Sequence, residues 1–221
     1  MKEVVVVALF ALTALTAPAA AESPVAVVEE VQGKVTGAEF MDYVAKGKII
    51  KLGPGASIVL GYMKSCWRET ITGIGTVIVG TDESMVHLAE VKAAKAECDP
   101  SHAHATARET SDVAATVVRS MAKDISVTPE VTLYGASPLV EAKGRGRLVI
   151  DRLDLTGERQ QVELTGSQLK GKFYDFASAK KSLTPGGTYA ATFASSRIVF
   201  RIDPQAKPGA TPIVGRLLRM E

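Results

Sequence analysis

The chain is patterned in short apolar runs separated by turn residues, not in long stripes of helical period. Ile49-Ile50, Ile58 to Leu60 and Thr76 to Val79 are rich in β-branched residues, and Gly53-Pro54-Gly55, Gly61 and the Gly73/Gly75 pair punctuate them. This predicts a compact β unit over Gly47 to Gly80. Ahead of it, Val25 to Val31 reads as a strand turned by Gln32-Gly33 into Lys34 to Gly37, and Phe40 to Val44 leads into the unit. Ser84 to Val91 alternates in part, with Met85 and Val91 on one parity and Val86 and Leu88 on the other, which predicts a strand without a clear buried face. It ends at Lys92 to Cys98.

The pattern changes after Cys98. Asp99-Pro100-Ser101-His102-Ala103-His104 is small and polar, a linker composition. Beyond it, Ser111-Asp112 caps a short helix with Val113, Val117 and Met121 on one side, or Ala115 to Val118 forms a strand; the residues leave both open. From Ile125 the β signals return as runs at Val131 to Tyr134, Pro138 to Glu141, Gly146 to Leu155, Gln161 to Leu164, Thr188 to Phe193, Arg197 to Asp203 and Pro212 to Leu218. Arg197 to Asp203 alternates most cleanly, placing Ile198, Phe200 and Ile202 on a buried face and Arg197, Arg201 and Asp203 on a wet one. Phe173 to Lys181 reads as a short helix or turn. The expected fold is all-β: a small β domain over 22–98, a linker over 99–124 and an immunoglobulin-like β-sandwich over 125–221.

The N-terminus adds a location. A charged start at Met1-Lys2, an apolar stretch from Val4 and the small residues Ala19-Ala20-Ala21 have the order of a secretory signal peptide, with cleavage expected after Ala21. The apolar stretch, interrupted by Pro18, is shorter than the roughly 20 residues a bilayer-spanning helix needs. The expectation is a periplasmic chain whose mature form has no transmembrane segment and does not meet nucleic acid. Net charge is +2, divided unevenly: residues 22–124 carry 11 Lys and Arg against 14 Asp and Glu, residues 125–221 carry 14 against 9. The two halves therefore present different surfaces to partners or to each other.

In an exported chain, two cysteines predict a disulfide between Cys66 and Cys98. The alternative use of Cys66 is as a nucleophile: Ser65-Cys66-Trp67 resembles the tail of the papain signature, and Cys66-x-Arg68 the cysteine of the L,D-transpeptidases that act on peptidoglycan. A thiolate needs a base, and His87, His102 and His104 are the histidines available. His102-x-His104 with Cys98 and Asp99 matches no structural zinc spacing, so no metal and no cofactor are expected. Gly53-x-Gly55, Gly73-x-Gly75 and Gly144-x-Gly146 lack the third glycine and the helix of a phosphate-cradling loop. Arg145, Arg147, Arg152, Arg197, Arg201, Arg216 and Arg219 concentrate guanidinium groups in the second half, suited either to an anionic envelope component or to a solvated surface interleaved with Asp151, Glu158 and Asp203.

Gln32-Gly33-Lys34-Val35, Gly47 to Gly53, Ser57 to Leu60 and Gly75 to Val79 resemble the FecR family of bacterial periplasmic domains, over about residues 25–91. The resemblance implies a periplasmic β interaction domain; regulators of that family sense the loaded state of an outer-membrane transporter. The sequence thus leads to a non-catalytic interaction or sensory accessory protein of the envelope, with an envelope protein as partner and Trp67, Arg68, Arg197 and Arg201 as candidate binding residues. A carbohydrate- or peptidoglycan-binding protein is the alternative, and a Cys66-dependent thiol enzyme a third.

Overall fold

Alternation and turns become strands across both halves of the chain. The computed structural model describes residues 23–101, 128–142 and 144–220, and they are all-β. The first half holds β1 (Pro24–Gln32), β2 (Val35–Thr36), β3 (Tyr43–Ala45), β4 (Ile49–Leu52), β5 (Ser57–Tyr62), β6 (Trp67–Thr72), β7 (Gly75–Val79), β8 (Ser84–His87) and β9 (Glu90–Lys95). The second holds β10 (Val131–Gly135), β11 (Leu139–Glu141), β12 (Gly146–Arg152), β13 (Arg159–Leu164), β14 (Leu169–Lys170), β15 (Phe173–Asp175), β16 (Thr188–Phe193), β17 (Ser196–Lys207) and β18 (Leu217–Arg219). They form four sheets: sheet A in the order β3-β1-β5-β6-β9, sheet B as β2-β4-β7-β8, sheet C as β10-β17-β16-β12-β13 and sheet D as β14-β15-β11-β18. Pairing is antiparallel except at β10 with β17 and β11 with β18.

Each pair of sheets encloses a core. Ala26, Val28, Ile58, Leu60 and Tyr62 of sheet A meet Ile50, Leu52, Val77 and Val79 of sheet B. Leu133, Leu148, Ile150, Phe200 and Ile202 of sheet C meet Val140, Tyr174 and Leu218 of sheet D. A third apolar cluster lies between the halves, where Val27, Met41, Met63, Cys66 and Cys98 pack against Leu139, Phe173, Ile213, Val214 and Leu217. The layers therefore run B, A, D, C. The central strands of sheets A and D are covered on both faces, and the halves share a core across their seam.

Several expectations change in detail. Gly61 lies inside β5, not at its end. The stretch Ser84 to Val91 is broken at Leu88, which has φ of 66° and is 95% exposed, so that β8 joins sheet B and β9 joins sheet A. Phe173 to Lys181 begins as strand β15, because Phe173 is needed in the seam, and only its later part is turn. β1 and the following β2 belong to different sheets, so Gln32-Gly33 turns the chain from one layer to the other. Most of the linker, with its helix-or-strand alternative, His102 and His104, lies outside the described residues, as does the signal segment. Among the described residues no helix is long and apolar enough to cross a membrane.

Candidate functional site

The seam is built by period-2 alternation in sheet D. Pairing sets Asp175, Leu139 and Leu217 in one row and Phe173, Glu141 and Arg219 in the next, both facing sheet A, while Val140, Tyr174 and Leu218 face the opposite core. Burying charged residues in such a seam demands partners. Glu29, whose side chain is fully buried, accepts from Arg68 Nε at 2.7 Å and from the Val214 N–H at 2.8 Å. Glu141 accepts from the Tyr43 hydroxyl at 2.8 Å and pairs with Lys172 at 2.8 Å, whose ammonium sits 4.2 Å from the Tyr43 ring centroid. Burial first, and then the Glu141 charge, push the Tyr43 phenol well above its ordinary range. Arg216 donates to Asp175 at 2.7 Å, to Ser137 O at 3.0 Å and to Ala210 O at 2.7 Å. Burial works to raise the Asp175 carboxyl, but hydrogen bonds from Arg216 and Ser178 outweigh it and hold it below the usual range.

This accounting redistributes the arginines. Arg68 is spent on Glu29, Arg216 and Arg219 are buried, Arg152 is shared by Asp154 and Glu158, and Arg147 pairs with Glu163. Arg197 and Arg201 do project from the exposed face of β17, as alternation predicts, but on sheet C, while Trp67 belongs to sheet A. Trp67 is 37% exposed and carries the Lys95 ammonium 5.5 Å from its ring centroid. Cys66 and Cys98 are joined in a disulfide with Cα atoms 5.7 Å apart, which leaves no thiolate at Cys66. Among the described residues no group of three or more His, Cys, Asp or Glu is placed to hold a metal.

Among the described residues, the β9 edge and a cleft beside it stand open. β9 is the terminal strand of sheet A, pairs with β6 over six consecutive residues without a bulge, and is exposed at every position. The Ala96 N–H donates to Cys66 O, so by antiparallel alternation Ala94 and Lys92 also bond inward, and the N–H and C=O groups of Val91, Ala93 and Lys95 point away from the sheet. Where β9 ends, the seam opens into a cleft of about 530 Å³ between Lys95–Glu97, the end of β10 and the end of β17. Pro208 and Gly209 wall this cleft and also a second, of about 310 Å³, lined by Lys180 and Lys181. Sheet B adds an apolar row in which exposed Ile49 and Met85 flank half-buried Ile78, set side by side by the register of β4, β7 and β8.

No sequence signal marks the β9 edge or the cleft. The strand mixes Glu, Lys and Ala without alternation, and the cleft gathers residues from three separate segments. Compared with protein-family models, curated proteins and solved structures, the chain finds no match.

Proposed function

We propose that this protein is an exported, non-catalytic interaction module of the bacterial envelope, and that it binds an extended segment of another protein as an added strand on β9. The carrying observation is the open edge itself: a regular strand, exposed along its length, with the backbone groups of Val91, Ala93 and Lys95 directed outward. Natural sheets usually cover, bend or shorten such an edge, because it templates pairing with another chain. A second copy of β9 is a poor occupant. The outward groups all lie on odd-numbered residues, so two copies pair odd with odd, and the registers that engage most of the strand set Lys92 directly or diagonally across from its own copy. A strand with acidic residues opposite Lys92 and Lys95 meets no such repulsion. The FecR-like turns over residues 25–91, the signal-like N-terminus and the disulfide support the envelope setting.

Ala93→Pro tests this reading. Proline removes an N–H that faces solvent, so the fold is retained, whereas Ala94→Pro removes a ladder hydrogen bond and lowers the melting temperature. With a photo-crosslinking residue at position 92 in cells, the otherwise unaltered chain is expected to capture one partner through an extended segment, and Ala93→Pro to abolish the capture. Capture that persists in a folded Ala93→Pro chain, or crosslinks only to its own copy, would sink the proposal.

A further inference from the structure

The cleft at the end of β9 offers chemistry unlike that of the neighbouring edge. Several backbone donors along it are already used: Tyr134 and Gly135 donate to Gly215 O and Ala96 to Cys66 O, while the outward N–H of Lys95 belongs to the β9 edge. Beyond Lys95, the N–H groups of Tyr134, Gly135 and Ala96 offer an incoming backbone no ladder, so recognition there falls chiefly to side chains. The polar residues on its wall include Gln205, Thr211, Lys207 and Glu97, together with Lys95, whose ammonium is engaged by Ser65 O and the Trp67 ring, and Tyr134 is the aromatic residue among them. An aromatic ring with an amide, a hydroxyl and charges of both signs suits sugar rings, whose C–H faces stack on the ring while their hydroxyls take up donors and acceptors. The volume lies in the range of small-ligand sites, which occur preferentially at domain junctions.

Charge narrows the class. Arg216, at the cleft floor, is neutralised by Asp175 and by two carbonyls. Lys207, and Lys180 and Lys181 on the other side of the Pro208-Gly209 wall, have no ion pair among the described residues, and Glu97 is the single carboxylate facing them across the two clefts. We propose that the two clefts bind one acidic saccharide chain, a sugar carrying carboxylates of the uronic-acid type, with a ring against Tyr134 and its carboxylates at Lys207 and at the Lys180-Lys181 pair.

Isothermal titration of the full disulfide-bonded protein tests this with oligogalacturonate as the probe, beside neutral galactose oligomers and oligoglutamate of matched charge. Oligogalacturonate is expected to bind about tenfold more tightly than the neutral oligomers, since a charge-assisted hydrogen bond contributes that much, and several-fold more tightly than oligoglutamate, which has the carboxylates but no ring to set against Tyr134. Lys207→Gln and Tyr134→Leu should each weaken it by about tenfold with the melting temperature unchanged; if Tyr134→Leu fails to fold, Lys207→Gln and the Lys180→Gln/Lys181→Gln pair carry the test. Equal binding of oligoglutamate or of the neutral sugar, the absence of binding, or insensitivity to the lysine substitutions would overturn the proposal. Ala93→Pro should leave sugar binding intact, so failure at the β9 edge and failure here are separable.

Discussion

Gly61 has no side chain because the space is taken from both sides. A Cβ there would stand 2.6 Å from Glu29 Oε1 and 3.2 Å from Val214 Cβ, closer than the buried carboxylate and the seam segment permit. In the sequence this glycine reads as turn punctuation; in the structure it lies within β5 and marks close approach, the other meaning a strand glycine carries. Gly61→Ala is expected to destabilise the protein by about 1–3 kcal/mol, since the neighbours must shift in a packed seam. Urea unfolding reads this directly, and an unchanged midpoint would show that the seam gives way freely. The Arg68–Glu29 pair sharpens the point: a fully buried carboxylate with two donors is tolerable, but pushed off Arg68 it becomes an uncompensated charge, and pushed off Val214 it leaves a buried acceptor short of a donor.

At the scale of elements, the disulfide fastens the turn after β5 to the segment that follows β9, holding the C-terminal end of the edge strand against the start of β6. With cysteines 32 residues apart, the chain-entropy model gives about 3.7 kcal/mol from constraint of the unfolded state. Replacing both cysteines by alanine should lower the unfolding free energy by about that amount and increase hydrogen exchange first at Ala94 and Ala96, whose N–H groups bond inward at the fastened end. Uniform exchange along β6 and β9 would show instead that the strand needs no fastening. The elements were legible in the sequence to the degree that each has one dry and one wet face. In β17, Phe200 and Ile202 are buried and Arg197 and Arg201 exposed as alternation predicts, although Val199 is buried on the arginines' side, and β16 spans the residues its run marks out. Strands β11, β15 and β18 of sheet D, dry on both faces, show no alternation; Phe173 to Asp175 therefore passes for a turn or helix, and β9, wet on both faces, for the trailing end of a strand. The disulfide followed from compartment and count, whereas the cleft, assembled from three segments, had no linear signature.

For the molecule as a whole, the seam makes the halves interdependent, and Tyr43 gives it a pH limit. Its phenol donates to Glu141 across the seam and is held well above the ordinary tyrosine range, by burial before all else. A folded value above the unfolded one, about 10, means that this contribution is fully present below pH ~10 and is lost as pH rises from there through the folded value. Urea midpoints should fall above pH ~10, and Tyr43→Phe should fall less steeply, though not flatly, because burial also raises Tyr62 to about 12. Identical slopes would remove Tyr43 from the account. The bond from Val214 to Glu29 spans 185 positions of sequence, and its consequence is one of time. At roughly 5–20 residues per second of synthesis, about ten to forty seconds separate the appearance of that carboxylate from that of its donor. Until Leu139 and Phe173 are made, the outer face of sheet A, with Val27 and Met63, lacks its seam partners, and the seam closes only with Val214 and Leu217; exposed apolar surface of that kind is what a holding chaperone covers.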